Sequence, residues 1–167
     1  MRNIKILVLL LSLILTGCKT AIKGKDILIY NLKGYSEQEK SNLLELKLDD
    51  KYQNLLNPEI SGENFKEVYA SWKKLHVDLY RYLNKNNFEW DVNSEKIKIF
   101  NKIYFTKEGK IEFYVFKILN DVSQEKVYEY KSLVKNFSKN FQINLRRDFK
   151  FAQCGKASFP IIKSRKL

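Results

Sequence analysis

The stretch KIKIFNKIYFTKEGKIEFYVFKIL, residues 96–119, decides the fold. From Lys96 to Phe105 the odd positions Ile97, Ile99, Ile103 and Phe105 are apolar. Lys96, Lys98 and Lys102 alternate with them, with Phe100 and Tyr104 between. A period of two marks a β-strand with one buried face, because successive side chains point to opposite sides of the pleat. Thr106-Lys107-Glu108-Gly109 reads as a hairpin turn whose glycine tolerates positive φ. Ile111 to Leu119 returns as a second strand, with Ile111, Phe113 and Val115 on one face and Tyr114, Phe116 and Ile118 on the other. Two apolar faces suit a central strand covered on both sides.

Helical periodicity flanks this hairpin. Between Glu63 and Leu83, the residues Phe65, Val68, Trp72, Leu75, Leu79 and Tyr82 recur at spacings of three and four, which places them on one stripe. The run is under three heptads and rich in aromatics, so we expect a helix packed on its own domain rather than a coiled-coil seam. Ser123 caps a second expected helix to about Asn140, with Val127, Tyr130, Val134, Phe137 and Phe141 as its buried stripe. Ser36 and Glu39 have capping-box spacing, and a short helix should follow, with Leu43, Leu44 and Leu48 on its apolar side. Asp26 to Leu32 reads as a first short strand. A third strand is expected from about Leu145, where Leu145, Phe149 and Phe151 alternate with Arg146, Asp148 and Lys150, and Gly155 and Pro160 frame the tail. The fold class is therefore α+β: an antiparallel sheet of three or four strands, with one long helix and one or two shorter helices packed on it. Residues 26–167 form a single domain in this reading.

The order strand, turn, strand, helix, strand from Lys96 to Ile161 resembles the C-terminal domain of TonB and related envelope domains. The matching residues are 103–111 (Ile103 through Gly109 to Ile111), the helix ending near Phe137, Gly155-Lys156, and Phe159-Pro160-Ile161. The proline-rich stretch of that family between helix and last strand has no counterpart. The resemblance covers under half the chain and implies protein–protein contact in the periplasm, not catalysis.

Residues 1–17 follow an export plan: Arg2 and Lys5 give a positive start, and Ile6 to Leu15 are apolar apart from Ser12. The run is shorter than the roughly 20 residues that span a bilayer and has the length of a signal-peptide core. It ends in Leu15-Thr16-Gly17-Cys18, which resembles the bacterial lipobox. That resemblance implies cleavage between Gly17 and Cys18, acylation of the Cys18 thiol with palmitate-class chains, and residues 18–25 as a lipidated tether. Two or more chains anchor a protein stably, whereas one binds only marginally. The expected location is the cell envelope, lipid-anchored on the periplasmic side of a membrane. Lys19 after the cysteine, by resemblance to proteobacterial lipoproteins, favours the outer membrane. The longest later apolar stretch, Ile111 to Leu119, carries Glu112 and Lys117 and has strand length.

The net charge of the full chain is +12, and loss of Arg2 and Lys5 with the leader leaves +10. Such a balance favours anionic partners: acidic lipid headgroups, cell-wall anions or an acidic protein. An export signal argues against nucleic acid. The lysines are spread along the chain, as a lysine-rich coding bias would also spread them. With Cys18 lipidated, Cys154 has no partner for a disulfide and reads as a small buried residue beside a strand end. The only histidine, His76, sits at the edge of the long helix's apolar stripe. No residue spacing suggests a metal site, a cofactor or a catalytic set. If the two hairpin strands pair with a helix on the odd-numbered face, the other face carries Lys98, Phe100, Lys102, Tyr104, Tyr114 and Phe116, with Lys150 joining from the third strand. Rings flanked by cations suit sugars, acidic lipids or an acidic loop. The alternative is that the long helix covers this face. The expected function is a non-catalytic binding or protein-interaction lipoprotein. The alternatives are an immunity-type lipoprotein that blocks a toxin or lytic enzyme, and an envelope enzyme acting on cell wall or lipid.

Overall fold

The computed structural model describes residues 27–34 and 36–161. The leader 1–17, the lipidation residues Gly17 and Cys18 and the tether 18–25 lie outside the described residues. Along the chain run β1 (Leu28–Asn31), α1 (Glu37–Glu45), α2 (Leu48–Lys51), β2 (Gln53–Asn54), α3 (Pro58–Ser61) and a 3-10 turn (Gly62–Asn64). There follow α4 (Phe65–Lys85), β3 (Lys96–Phe105), β4 (Ile111–Ile118), α5 (Gln124–Asn140) and β5 (Phe151–Pro160). Among the described residues, no helix is long and apolar enough to cross a membrane.

The protein is α+β, with a five-stranded sheet in the order β1-β4-β3-β5-β2. The three central strands are antiparallel. The sheet as a whole is mixed, not antiparallel, because β1 runs parallel to β4 and β2 runs parallel to β5. These edge strands are four and two residues long. Pairing that short is set by what it docks against, which local alternation does not encode.

The turn and one bulge set the faces of the sheet. Phe105 pairs with Ile111, but Tyr104 pairs with Phe113 and Ile103 with Tyr114, so Glu112 is an extra residue on β4. A single inserted residue shifts every later side chain to the opposite face. Without it, Lys102 would face Tyr114 and Phe100 would face Phe116. With it, Tyr114, Phe116 and Ile118 share the front face with Ile97, Ile99 and Ile103, and all six are buried. Tyr114 and Phe116 are thereby removed from the surface the sequence suggested.

Helices α4 and α5 cover this front face. The buried stripe of α4 is Val68, Trp72, Leu75, His76, Leu79 and Leu83. Phe65 and Tyr82 are only half-buried. Helix α5 is capped by Ser123, whose hydroxyl accepts from the Lys126 amide, and buries Val127, Tyr130, Val134 and Phe137. The capping box at Ser36 and Glu39 is formed. No residue of α1 is buried, and Leu44 is 70% exposed. Of its expected apolar side, Leu43 is partly buried and Leu48 is buried but belongs to α2, with Leu46 partly buried just past the helix end.

Helix α4 ends in a Schellman motif. The Phe88 amide donates to the Leu83 carbonyl at 3.1 Å and the Asn87 amide to the Asn84 carbonyl at 3.0 Å. Asn87 takes the left-handed backbone this cap needs, with φ of 54°. Phe88 and Leu83 are both buried, supplying the apolar contact that accompanies such caps.

The third strand begins at Phe151, not near Leu145, and Gly155 and Pro160 lie inside it. Ile143 and Leu145 are buried for another reason: their segment wraps the hairpin turn. The Ile143 amide donates to the Gly109 carbonyl at 2.9 Å and the Arg147 amide to the Lys107 carbonyl at 3.1 Å. Gly109 has φ of 84°, and a Cβ there would lie 2.7 Å from the carbonyl oxygens of both Ile143 and Leu145. Backbone strain and clash act together, so Gly109→Ala should destabilise the protein by about 3 kcal/mol. Urea unfolding checks this, and an unchanged midpoint would contradict the turn geometry.

Candidate functional site

The back face of the sheet is covered at one end only. The side chains of Tyr104, Phe113, Val115 and Ala152 lie under Leu48 and Tyr52, forming a second, small core. Tyr52 meets Tyr104 edge-on at 5.2 Å and donates its hydroxyl to Glu112 at 2.7 Å. Asp49 of α2 closes this end. It accepts from Lys102 at 2.6 Å and from the Tyr104 hydroxyl at 3.0 Å. Burial raises the Asp49 pKa, but the two hydrogen bonds and the Lys102 charge outweigh it, so the carboxyl is held below its ordinary value. Burial, and then the Asp49 charge, push the Tyr104 phenol well up, so it stays a donor.

Beyond Asp49, among the described residues, the sheet is open. Phe100 sits at the middle of this open half, half-buried, with Lys117 opposite it on β4 and Lys156 opposite it on β5. Such cross-strand neighbours stand about 5 Å apart at Cβ. Lys98 and Lys102 precede and follow it on the same face of β3. Four lysines therefore ring one phenylalanine. Lys98, Lys117 and Lys156 are exposed and make no ion pair among the described residues. Like charges this close on one sheet face repel one another. The adjoining Leu119, whose amide donates to the Lys98 carbonyl, is 43% exposed.

The structure thus brings together three of the seven surface residues read from the sequence: Lys98, Phe100 and Lys102. Tyr104 is on the same face but 4% exposed, beneath α2. Tyr114 and Phe116 are fully buried in the front core. Lys150 lies at the covered end, bound to Glu112 at 2.8 Å. Lys117 and Lys156 were missed. Their signal is the pairing register, set for Lys117 by the bulge and for Lys156 by the pairing of β5 with β3. The long helix does not cover this face; α1 and α2 cover half of it.

Two groups with chemical potential lie near or beneath the sheet. Cys154 faces Lys102 across β3 and β5, half-buried and free. Burial pushes its thiol up, only partly countered by Lys102, so it is no thiolate at neutral pH. His76 is buried in the front core. Its Nδ1–H donates to the Trp72 carbonyl at 2.9 Å, and Nε2 accepts from the Asn101 amide at 3.0 Å. Asn101 Oδ1 in turn accepts from the Tyr114 hydroxyl at 3.1 Å. The carbonyl at one end can only accept, which assigns the tautomer. This chain of polar groups fixes α4 over the sheet centre. Among the described residues, no group of three or more His, Cys, Asp and Glu could hold a metal.

No family model, curated protein or solved structure matches the chain.

Two outcomes follow from these placements. Tyr104→Ala should cost about 3 kcal/mol or more, as truncations of buried aromatics do, whereas Phe100→Ala should cost about 1 kcal/mol. Equal losses in urea unfolding would mean that α2 does not divide the face. Burial pushes the His76 pKa down from 6.5 to about 4, against the smaller pull of the Trp72 carbonyl. Between those values the unfolded chain binds a proton that the folded one refuses. Stability from this group is complete above the unfolded value and is lost as pH falls toward the folded one. The unfolding midpoint should fall less steeply from about pH 7 to about pH 4.5 in His76→Gln than in the parent.

Proposed function

We propose that this chain is a lipid-anchored lipoprotein of the bacterial envelope that acts as a non-catalytic binding module, holding an anionic partner on the open half of its sheet. The observation that carries the reading is the ring of Lys98, Lys102, Lys117 and Lys156 around Phe100, three of its cations without a counter-ion among the described residues. A net charge of +10 after leader removal adds a long-range field of the same sign. The Phe100 ring offers a small apolar floor to the non-charged part of the partner. The protonated thiol of Cys154 and the buried imidazole of His76 favour binding over catalysis. The lipobox-like Leu15 to Cys18 supports anchoring on the periplasmic side, and the TonB-like order of elements supports a role in contact rather than chemistry.

The test separates the lysine ring from overall charge. Binding of the mature protein to a soluble phosphate polymer should weaken by about tenfold or more when Lys98, Lys117 and Lys156 are all changed to Gln. The same change at Lys66, Lys85 and Lys131, on the helices, should have much less effect. Equal losses would leave only non-specific charge. Labelling of cells with a palmitate analogue should mark the parent and not Cys18→Ala; a marked variant would remove the anchor from the reading.

A further inference from the structure

A second concavity lies at the other end of the chemical scale. It is a cleft of about 570 Å³ between the C-terminal end of α4, the connection to β3 and the end of β5. Among the described residues, no lysine or arginine lines it. Its polar wall is made of amides and carboxylates: Asn84, Asn87, Asn93, Glu89 and Asp91. Its apolar wall includes Tyr80, Phe88 and Trp90. Phe88 and Trp90 meet edge-on at 4.7 Å, and Trp90 packs on Tyr130 at 4.9 Å, so the floor is tied to the main core. Tyr80 is half-buried and lies parallel to Phe159 of β5, 6.0 Å away.

Two residues of the polar wall stand on left-handed backbone. Asn87 is the left-handed residue of the Schellman cap, and Asp91 is left-handed too, with φ of 51°. Glu89 and Asp91 make no ion pair among the described residues. An anion would be repelled by these two carboxylates. A purely apolar ligand would strip water from the amides and carboxylates without replacing its hydrogen bonds. A ligand rich in hydroxyls and secondary amides matches both halves: its polar edge exchanges hydrogen bonds with Asn side chains, which donate and accept, and its C–H face lies on the aromatic floor.

We propose that this cleft is a binding site for an uncharged, hydroxyl-rich ligand of the N-acetylated glycan class. The proposal is independent of the lysine ring. A cationic ligand held by Glu89 and Asp91 is the principal rival, and the deacetylated form of the probe represents it.

The probe is a tetramer of N-acetylglucosamine, titrated by calorimetry into the full mature protein. The same tetramer without its acetyl groups serves as the cationic comparison. The diagnostic variant is Asn84→Ala with Asn87→Gly. Alanine favours the helix end, and glycine takes the left-handed cap without strain, so the fold is kept while both amides are lost. We expect saturable binding of the neutral tetramer, weakened by about tenfold in the double variant, with an unchanged or higher melting temperature. Binding should be unaltered when Lys98, Lys117 and Lys156 are changed to Gln. The proposal is overturned by no saturation up to about 10 mM, by binding of the cationic tetramer alone, or by a double variant that binds as well as the parent.

Discussion

The position of one residue, Glu112, governs most of this molecule. The turn at Gly109 fixes how β3 passes into β4, and the extra residue then moves β4 half a pleat against its partner. Everything downstream inherits that shift. Tyr114 reaches Asn101 and, through it, His76, which docks α4. Phe116 meets Tyr130 of α5 edge-on at 5.1 Å. Phe113 and Val115 turn the other way and give α2 its footing. A sheet with the same sequence but an unbulged hairpin would turn Lys117 toward the front core and set Tyr114 and Phe116 on the back face.

Much of the fold was legible because its strongest signals are local. The ten-residue alternation of β3, the stripes of α4 and α5 and the serine caps depend on neighbours within one or two turns. The bounds of β3 and the cap at Ser123 follow directly from them. What was not legible depends on contacts between distant segments. The segment from Ile143 to Phe149 has a strand's composition, but its amides are spent clamping the turn. The direction of β1 and the existence of β2 come from docking. The candidate surface was half legible for the same reason: residues on β3 were placed by alternation, and those on β4 and β5 needed the register. The aromatic cleft was not legible at all, since Tyr80, the loop from Asn84 to Asn93 and Pro160 are brought together only by the packing of α4 across β5.

The two faces of the sheet divide the labour. The front is sealed by two amphipathic helices; its buried His76, Asn101 and Tyr114 share one chain of hydrogen bonds, and Gln153 donates to the Val68 carbonyl of α4. The back is sealed over half its length, with Asp49 marking the boundary. Lys102 stands on that line and is neutralised there, while its neighbours on the same face are not. The charge of the open half is therefore a local surplus with a defined edge, rather than one sample of a uniformly basic surface.

The attachment of β1 has a mechanical side. It is a four-residue edge strand, paired on one side only, and it is the first element after residue 27. Tension arriving from the N-terminal direction meets this short parallel pairing before any other part of the sheet. Peeling β1 away would release the chain as far as α1, each freed residue adding about 3.5 Å of length, while β3, β4 and β5 kept their mutual pairing. What holds the strand is four register pairs to β4 and the burial of Ile29 in the front core, so its detachment exposes one buried apolar side chain and breaks none of the sheet's central pairing.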